Sequence, residues 1–177
     1  MIFGNPQKFA IECVLDKRET DSPQYSFGHI AIWAKEFMLG DFLLPVLLNT
    51  PALFFKESLN YCGQRRDETF TGMEAAQVWE FLDTVLYSDS YESSLNPDEL
   101  EETYRKFCIC PGFSEAFDGE IAFLLEEDDE ERFIWQDATS QAIQEVRLRP
   151  ATYKSVVESF LSWYSKNTKN KSVEQNT

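Results

Sequence analysis

Two short apolar segments, Ile121–Leu125 and Phe133–Trp135, stand on either side of six consecutive acids, Glu126-Glu127-Asp128-Asp129-Glu130-Glu131. No other feature constrains the fold as much. Ile121-Ala122-Phe123-Leu124-Leu125 is apolar on both faces, which fits a strand covered on both sides, although periodicity alone also admits a buried helical segment. The acids then form the connection between two paired strands. They also belong to a wider concentration: residues 89–131 hold 15 of the 31 acidic residues against Arg105 and Lys106, a local net of −13 in a chain of −15. A surface this negative repels nucleic acid and anionic lipid, and suits a basic partner or simple solubility.

The first third of the chain reads as strands. In Phe9–Leu15 the residues Phe9, Ile11, Cys13 and Leu15 share one face by period-two alternation, with Glu12 on the other. The polar stretch Lys17–Ser26, with Pro23, ends that strand, and Phe27–Ala34 resumes the pattern. Lys35-Glu36 can turn the chain back into Phe37–Gly40 as a hairpin. Neither residue favours positive φ, so a longer turn also fits. Thr50-Pro51, Asn96-Pro97 and Arg149-Pro150 place proline near a first helical position, with Thr50 and Asn96 as N-caps. The first of these helices ends near Gly63, and a further helix over about Thr71–Tyr87 carries Val78, Trp79, Leu82, Val85 and Leu86 at helical spacing. Val146 and Leu148 mark a late strand, Tyr153–Tyr164 a terminal amphipathic helix, and the chain past Ser165 is expected to fray. The sum is α+β: one domain over residues 1–165, a mainly antiparallel sheet packed with about four helices, and a flexible polar tail over 166–177.

At 177 residues and 43% hydrophobic content the chain can bury one core. No stretch approaches the roughly 20 apolar residues that span a bilayer, and Met1-Ile2-Phe3-Gly4 lacks the basic n-region of a signal peptide, so the expectation is a cytoplasmic protein with no membrane partner. Catalytic signals are thin. Cys108-Ile109-Cys110 is too tight and too poor in neighbouring ligands for zinc, and no metal or other cofactor is expected. His29, the single histidine, shares parity with Phe27, Ala31 and Trp33 and reads as a core or sheet-edge residue rather than a general base. Asp118 and Glu120 are the carboxylate pair best placed for acid and base work, but carboxylates are too abundant for this to discriminate. The acidic run lacks the spacing and glycine of a calcium loop, and phosphate-binding motifs and basic aromatic patches for nucleic acid are missing. The chain does not read as an enzyme.

The opening Met1-Ile2-Phe3-Gly4-Asn5-Pro6, followed by Phe9-Ala10-Ile11, resembles the start of the bacterial immunity protein 42 family. Gly28-His29-Ile30, Leu39-Gly40-Asp41, Phe117-Asp118-Gly119, Arg132-Phe133-Ile134-Trp135 and Glu145-Val146 follow in the family's order, so the resemblance touches most of residues 1–163. It implies an antidote, encoded beside a polymorphic or contact-delivered toxin, that binds the toxin's C-terminal domain without catalysis. It brings no contact residues. The long polar stretch after Leu15 and the acidic concentration depart from a compact version of the family. Charge alone selects Asp118, Glu120, Glu126, Glu127, Asp128, Asp129, Glu130 and Glu131 as partner-binding residues, steered onto a basic toxin surface such as that of a nuclease. A solvated loop explains the run equally well. Phe3, Phe54, Phe55 and Trp163 read as core or as interface anchors. Rival functions are a small hydrolase or transferase working through acidic residues, and a structural adaptor.

Overall fold

The computed structural model describes residues 1–16, 25–87 and 97–169. The strands divide into two antiparallel sheets where the sequence reading had one. The first contains β1 (Ile2–Asn5), β2 (Phe9–Leu15), β3 (Phe27–Ala34) and β4 (Phe37–Leu39) in that order, with β5 (Val46–Leu47) pairing with β3. The second is β6 (Ala122–Glu126), β7 (Glu131–Gln136) and β8 (Ile143–Leu148). Among the described residues there are four α-helices: α1 (Asn49–Ser58), α2 (Ala75–Tyr87), α3 (Pro97–Tyr104) and α4 (Thr152–Lys169).

The apolar faces of β6 and β7 explain the layering. Leu124, Phe133 and Trp135 enter a core shared with Phe9 and Ile11 of the first sheet, Phe55 of α1, and Tyr153 and Phe160 of α4. Phe9 lies 5.2 Å from Phe133, ring to ring, and so joins the two sheets. The alternate residues Phe123, Leu125 and Ile134 enter a second core under α2, with Val78, Trp79 and Leu82. The second sheet is thus covered on both faces, as its doubly apolar strands require. Truncating one of these buried phenylalanines to alanine costs about 3–5 kcal/mol.

Three boundaries, the starts of α1, α2 and α4, differ from the sequence reading, and the expected Lys35-Glu36 turn is present, each for a local reason. α1 begins at Asn49 with no side-chain cap, so Thr50 lies inside the helix; Asn49 instead accepts the Ser26 N–H at 2.9 Å. α2 begins at Ala75 rather than near Thr71, because Gly72 adopts φ +75° and Gln77 caps the Glu74 N–H at 2.9 Å. Lys35 and Glu36 do form a two-residue turn, at φ 52° and 68°, with Ala34 paired to Phe37. Backbone bonds from Glu36 N–H to Pro6 (2.8 Å) and Lys35 N–H to Lys8 (3.4 Å) hold it in that conformation. Pro150 does not open α4: Ala151, at φ 61°, separates it from the first helical residue, Thr152. α4 continues through residues 166–169, and the rest of the expected tail, like Asn96 and the polar stretches 17–24 and 88–96, lies outside the described residues.

Candidate functional site

The acidic run is for the most part a tied structure. Glu126 is the last residue of β6, Glu131 the first of β7, and the two are directly paired across the hairpin. A bond from Glu127 N–H to the Glu130 carbonyl (2.8 Å) closes the turn, leaving Asp128 and Asp129 at its tip. The Glu126 carboxylate accepts the Arg65 N–H at 3.1 Å, and its own N–H donates to the Arg65 carbonyl at 2.8 Å. Glu127 lies 3.3 Å from Arg132, which also binds Glu145. Asp128 meets Arg66, and Glu130 meets Arg147. Four arginines therefore face four of the six carboxylates, and much of the field expected from the run is cancelled locally.

Glu131 is withdrawn from the surface altogether. Its side chain is buried, at 3% exposure, and its carboxylate accepts the Tyr153 N–H at 2.9 Å and the Ala151 N–H. These are free donors at the start of α4, so Glu131 caps that helix from a strand 22 residues earlier than Tyr153. Burial pushes its carboxyl above the usual 4.5, while the two N–H groups oppose the rise. This is the physical reason that Pro150 does not open α4, and it removes Glu131 from any contact surface.

Arg65, which sequence reasoning passed over, organises the region. Its side chain has no solvent exposure. Nε donates to the Lys106 carbonyl at 2.6 Å, one terminal nitrogen to the Ser58 carbonyl at 2.8 Å, and the guanidinium lies 5.1 Å from the centre of the Tyr153 ring. The end of α1, the turn after α3 and the β6–β7 hairpin thus meet on one cation. The signal available in sequence was Arg65-Arg66 just after Gly63, the only basic residues between Lys56 and Arg105.

Asp118 and Glu120 are not brought to the acidic tip. They precede β6, whose four residue steps separate its start from Glu126 by about 13 Å. Asp118 is exposed, whereas Glu120 is half-buried and accepts the Gly40 N–H at 3.2 Å, tying the end of β4 to this segment; burial raises its pKa. His29 sits half-buried on the outer face of the first sheet, its ring 5.9 Å from Phe42 and its Nδ1 without a hydrogen bond among the described residues. Of the proposed anchors, Phe55 is core, Phe3 packs against Phe160 and Trp163, and Phe54 is half-buried beside Phe55. Among the described residues, no cluster of three His, Cys, Asp or Glu side chains forms a metal site, and no helix is long and apolar enough to cross a membrane.

Beside the run lies an open groove of about 680 Å³ between residues 65–72 and the hairpin tip. Asp128 is 91% exposed there, Glu68 and Asp129 are exposed, and Asp129 has no ion pair or side-chain hydrogen bond among the described residues. A family model for Immunity protein 42 matches residues 1–163.

The chain belongs to the Immunity protein 42 family.

Its function is that of an immunity protein, the neutralisation of a toxin, and the family role is that of a non-enzymatic inhibitor. The fold is similar to that of the crystal structure of CdiI from Burkholderia dolosa AUO158, with a TM-score of 0.67 and 16% identity, over 92% of this chain and 99% of that one. No curated protein sequence matches the immunity protein at a significant level.

Proposed function

We propose that this immunity protein binds the C-terminal domain of its cognate toxin directly and without catalysis, and that the acidic groove beside the hairpin tip meets a basic surface on that domain. The observation that carries the reading is the contrast within the run. Glu126, Glu127, Glu130 and Glu131 are held by internal partners at the base of the hairpin, while at its tip Asp128 is 91% exposed with only the exposed Arg66 against it and Asp129 has no ion pair among the described residues. Such a surface is organised before the partner arrives, which lowers the ordering cost of association. Toxins that attack nucleic acid carry basic substrate-binding surfaces, and an acidic inhibitor is steered onto them. Cys13, Cys62, Cys108 and Cys110 are all free thiols, in keeping with an encounter in the reducing cytoplasm.

The test is kinetic. Asp128→Ser, Asp129→Ser and Glu68→Ser are combined in one chain, and association with the C-terminal domain of the adjacently encoded toxin is measured across salt concentrations. The expected result is a fall in association rate of about tenfold at low salt and a shallower salt dependence. Unchanged affinity and unchanged salt slope would remove the groove from the mechanism.

A further inference from the structure

A second hollow, of about 410 Å³, opens between the end of α1 and the ends of α2 and α3. Its walls include Phe54, Tyr61, Leu86, Tyr87 and Phe113, with Cys108 and Cys110 on the chain beneath. Phe113 is 81% exposed, and Tyr61 and Tyr87 are exposed as well. Single exposed apolar residues are ordinary, but three aromatic side chains left in water around one concavity need an explanation in a chain of net charge −15. The rim adds a sign. Glu101 is paired with Arg105, whereas Glu57 is exposed and has no ion pair among the described residues.

Arg65 stands between this hollow and the acidic groove. Its guanidinium binds the carbonyl of Ser58, which lines the hollow, and its backbone binds Glu126, which lines the groove. The two depressions share no lining residue, but the buried Arg65 ties the wall of one to the wall of the other. We infer that the hollow is the anchor subsite of the toxin-binding surface, taking an apolar or aromatic toxin side chain carried next to a lysine or arginine. The inference rests on the docking surface proposed above and adds the residue class the partner must present. The aromatic walls favour the apolar group and Glu57 favours the adjacent cation. A second copy of this chain is a poor occupant, since it brings another net charge of −15. In an interface so arranged, exposed acids govern encounter and a desolvated anchor governs residence.

Two variants of the full chain separate these roles. Phe113→Ala removes an exposed wall. Gly112→Trp fills the space: a Cβ at Gly112 meets no atom within 4 Å and its backbone is outside the left-handed region, so the substitution is accommodated. With the cognate toxin domain as probe, both variants are expected to raise the dissociation rate at least tenfold, while the association rate and its salt slope stay within twofold. Dissociation unchanged in both variants, with the unaltered complex intact, would overturn the anchor and leave the acidic surface standing. A change confined to the association rate would also overturn it, because the hollow would then steer rather than hold. Absence of any complex with the unaltered chain would remove the docking surface and the anchor together.

Discussion

Replacing Arg65 by alanine tests whether one buried cation fixes the geometry on which the docking surface depends. The side chain has no solvent exposure and satisfies two backbone carbonyls, Ser58 at 2.8 Å and Lys106 at 2.6 Å. Ser58 ends α1, where carbonyls have no partner within the helix. Each buried acceptor left without a donor costs about 1–3 kcal/mol. Glu126, 4.0 Å from the guanidinium and largely buried, also loses its counter-charge. Removing one member of a buried pair costs about 3–5 kcal/mol, and we expect the sum to fall in that range because the surroundings relax. Domains of this size are stable by only about 5–15 kcal/mol, so the variant remains folded but marginal. In urea, with a slope of about 2 kcal/mol per molar, the midpoint falls by about 1.5–2.5 M. Arg65→Lys recovers little, since an ammonium lacks the planar fork that reaches both carbonyls. A double-mutant cycle with Glu126→Gln should give a coupling of about 1–3 kcal/mol. A loss below about 1 kcal/mol for Arg65→Ala, with an unchanged slope, would show that the carbonyls find other donors and that Arg65 does not fix the region.

Two further outcomes are expected. Glu131 has a folded-state pKa above the ordinary 4.5, chiefly through burial, so the folded chain binds this proton more tightly than the unfolded one. Stability attributable to this group therefore falls as pH rises from about 4.5 through the raised value, and the penalty is constant above it. Equilibrium unfolding of Glu131→Gln should accordingly gain on the unaltered chain as pH rises through that window, and a flat difference would refute the assignment. The Lys35-Glu36 turn holds two non-glycine residues at φ 52° and 68°. Lys35→Asn with Glu36→Gly should stabilise by about 1 kcal/mol in thermal or urea unfolding, and a loss would show that the Glu36 contact to Gln7 outweighs backbone strain.

What the sequence made legible follows from how local each determinant is. β2 is visible as Phe9–Leu15, and β3 as Phe27–Ala34, because period-two alternation is a property of neighbouring residues. β6 and β7 are visible because both of their faces are apolar, and the structure does place a core on each face. The division into two sheets is not visible, since it depends on which strands pair across long separations. The start of α4 is hidden for the same reason: its cap is Glu131, on a strand, and not a residue beside Pro150. At the candidate site, the hairpin was readable from the acids and their apolar flanks. The arginines that neutralise it were not, because Arg65 and Arg66 lie about 60 residues away and Arg147 lies on the next strand.

This internal pairing changes how the charge of the immunity protein acts on a partner. At physiological ionic strength the field of an exposed charge decays over about 8 Å, and a close ion pair projects less than a lone carboxylate does. Glu126, Glu127 and Glu130 therefore contribute little to attraction at a distance, whatever their number suggests. Steering falls to acids without a close cation, including Asp129 and Glu68 at the groove, Glu57 at the hollow, Glu74 just before α2 and Glu80 on its exposed side. The consequence is a separation of effects within one stretch of sequence. Substitution at Glu126 or Glu131 should act first on unfolding free energy, and on binding only through displacement of the hairpin. Substitution at Asp129 should act on association rate, with stability changed by no more than about 0.5 kcal/mol, and substitution at Asp128, whose exposed pair with Arg66 contributes about 0–1 kcal/mol, should act on both. A six-residue run of one charge thus contains two classes of residue, distinguished by what lies opposite each carboxylate.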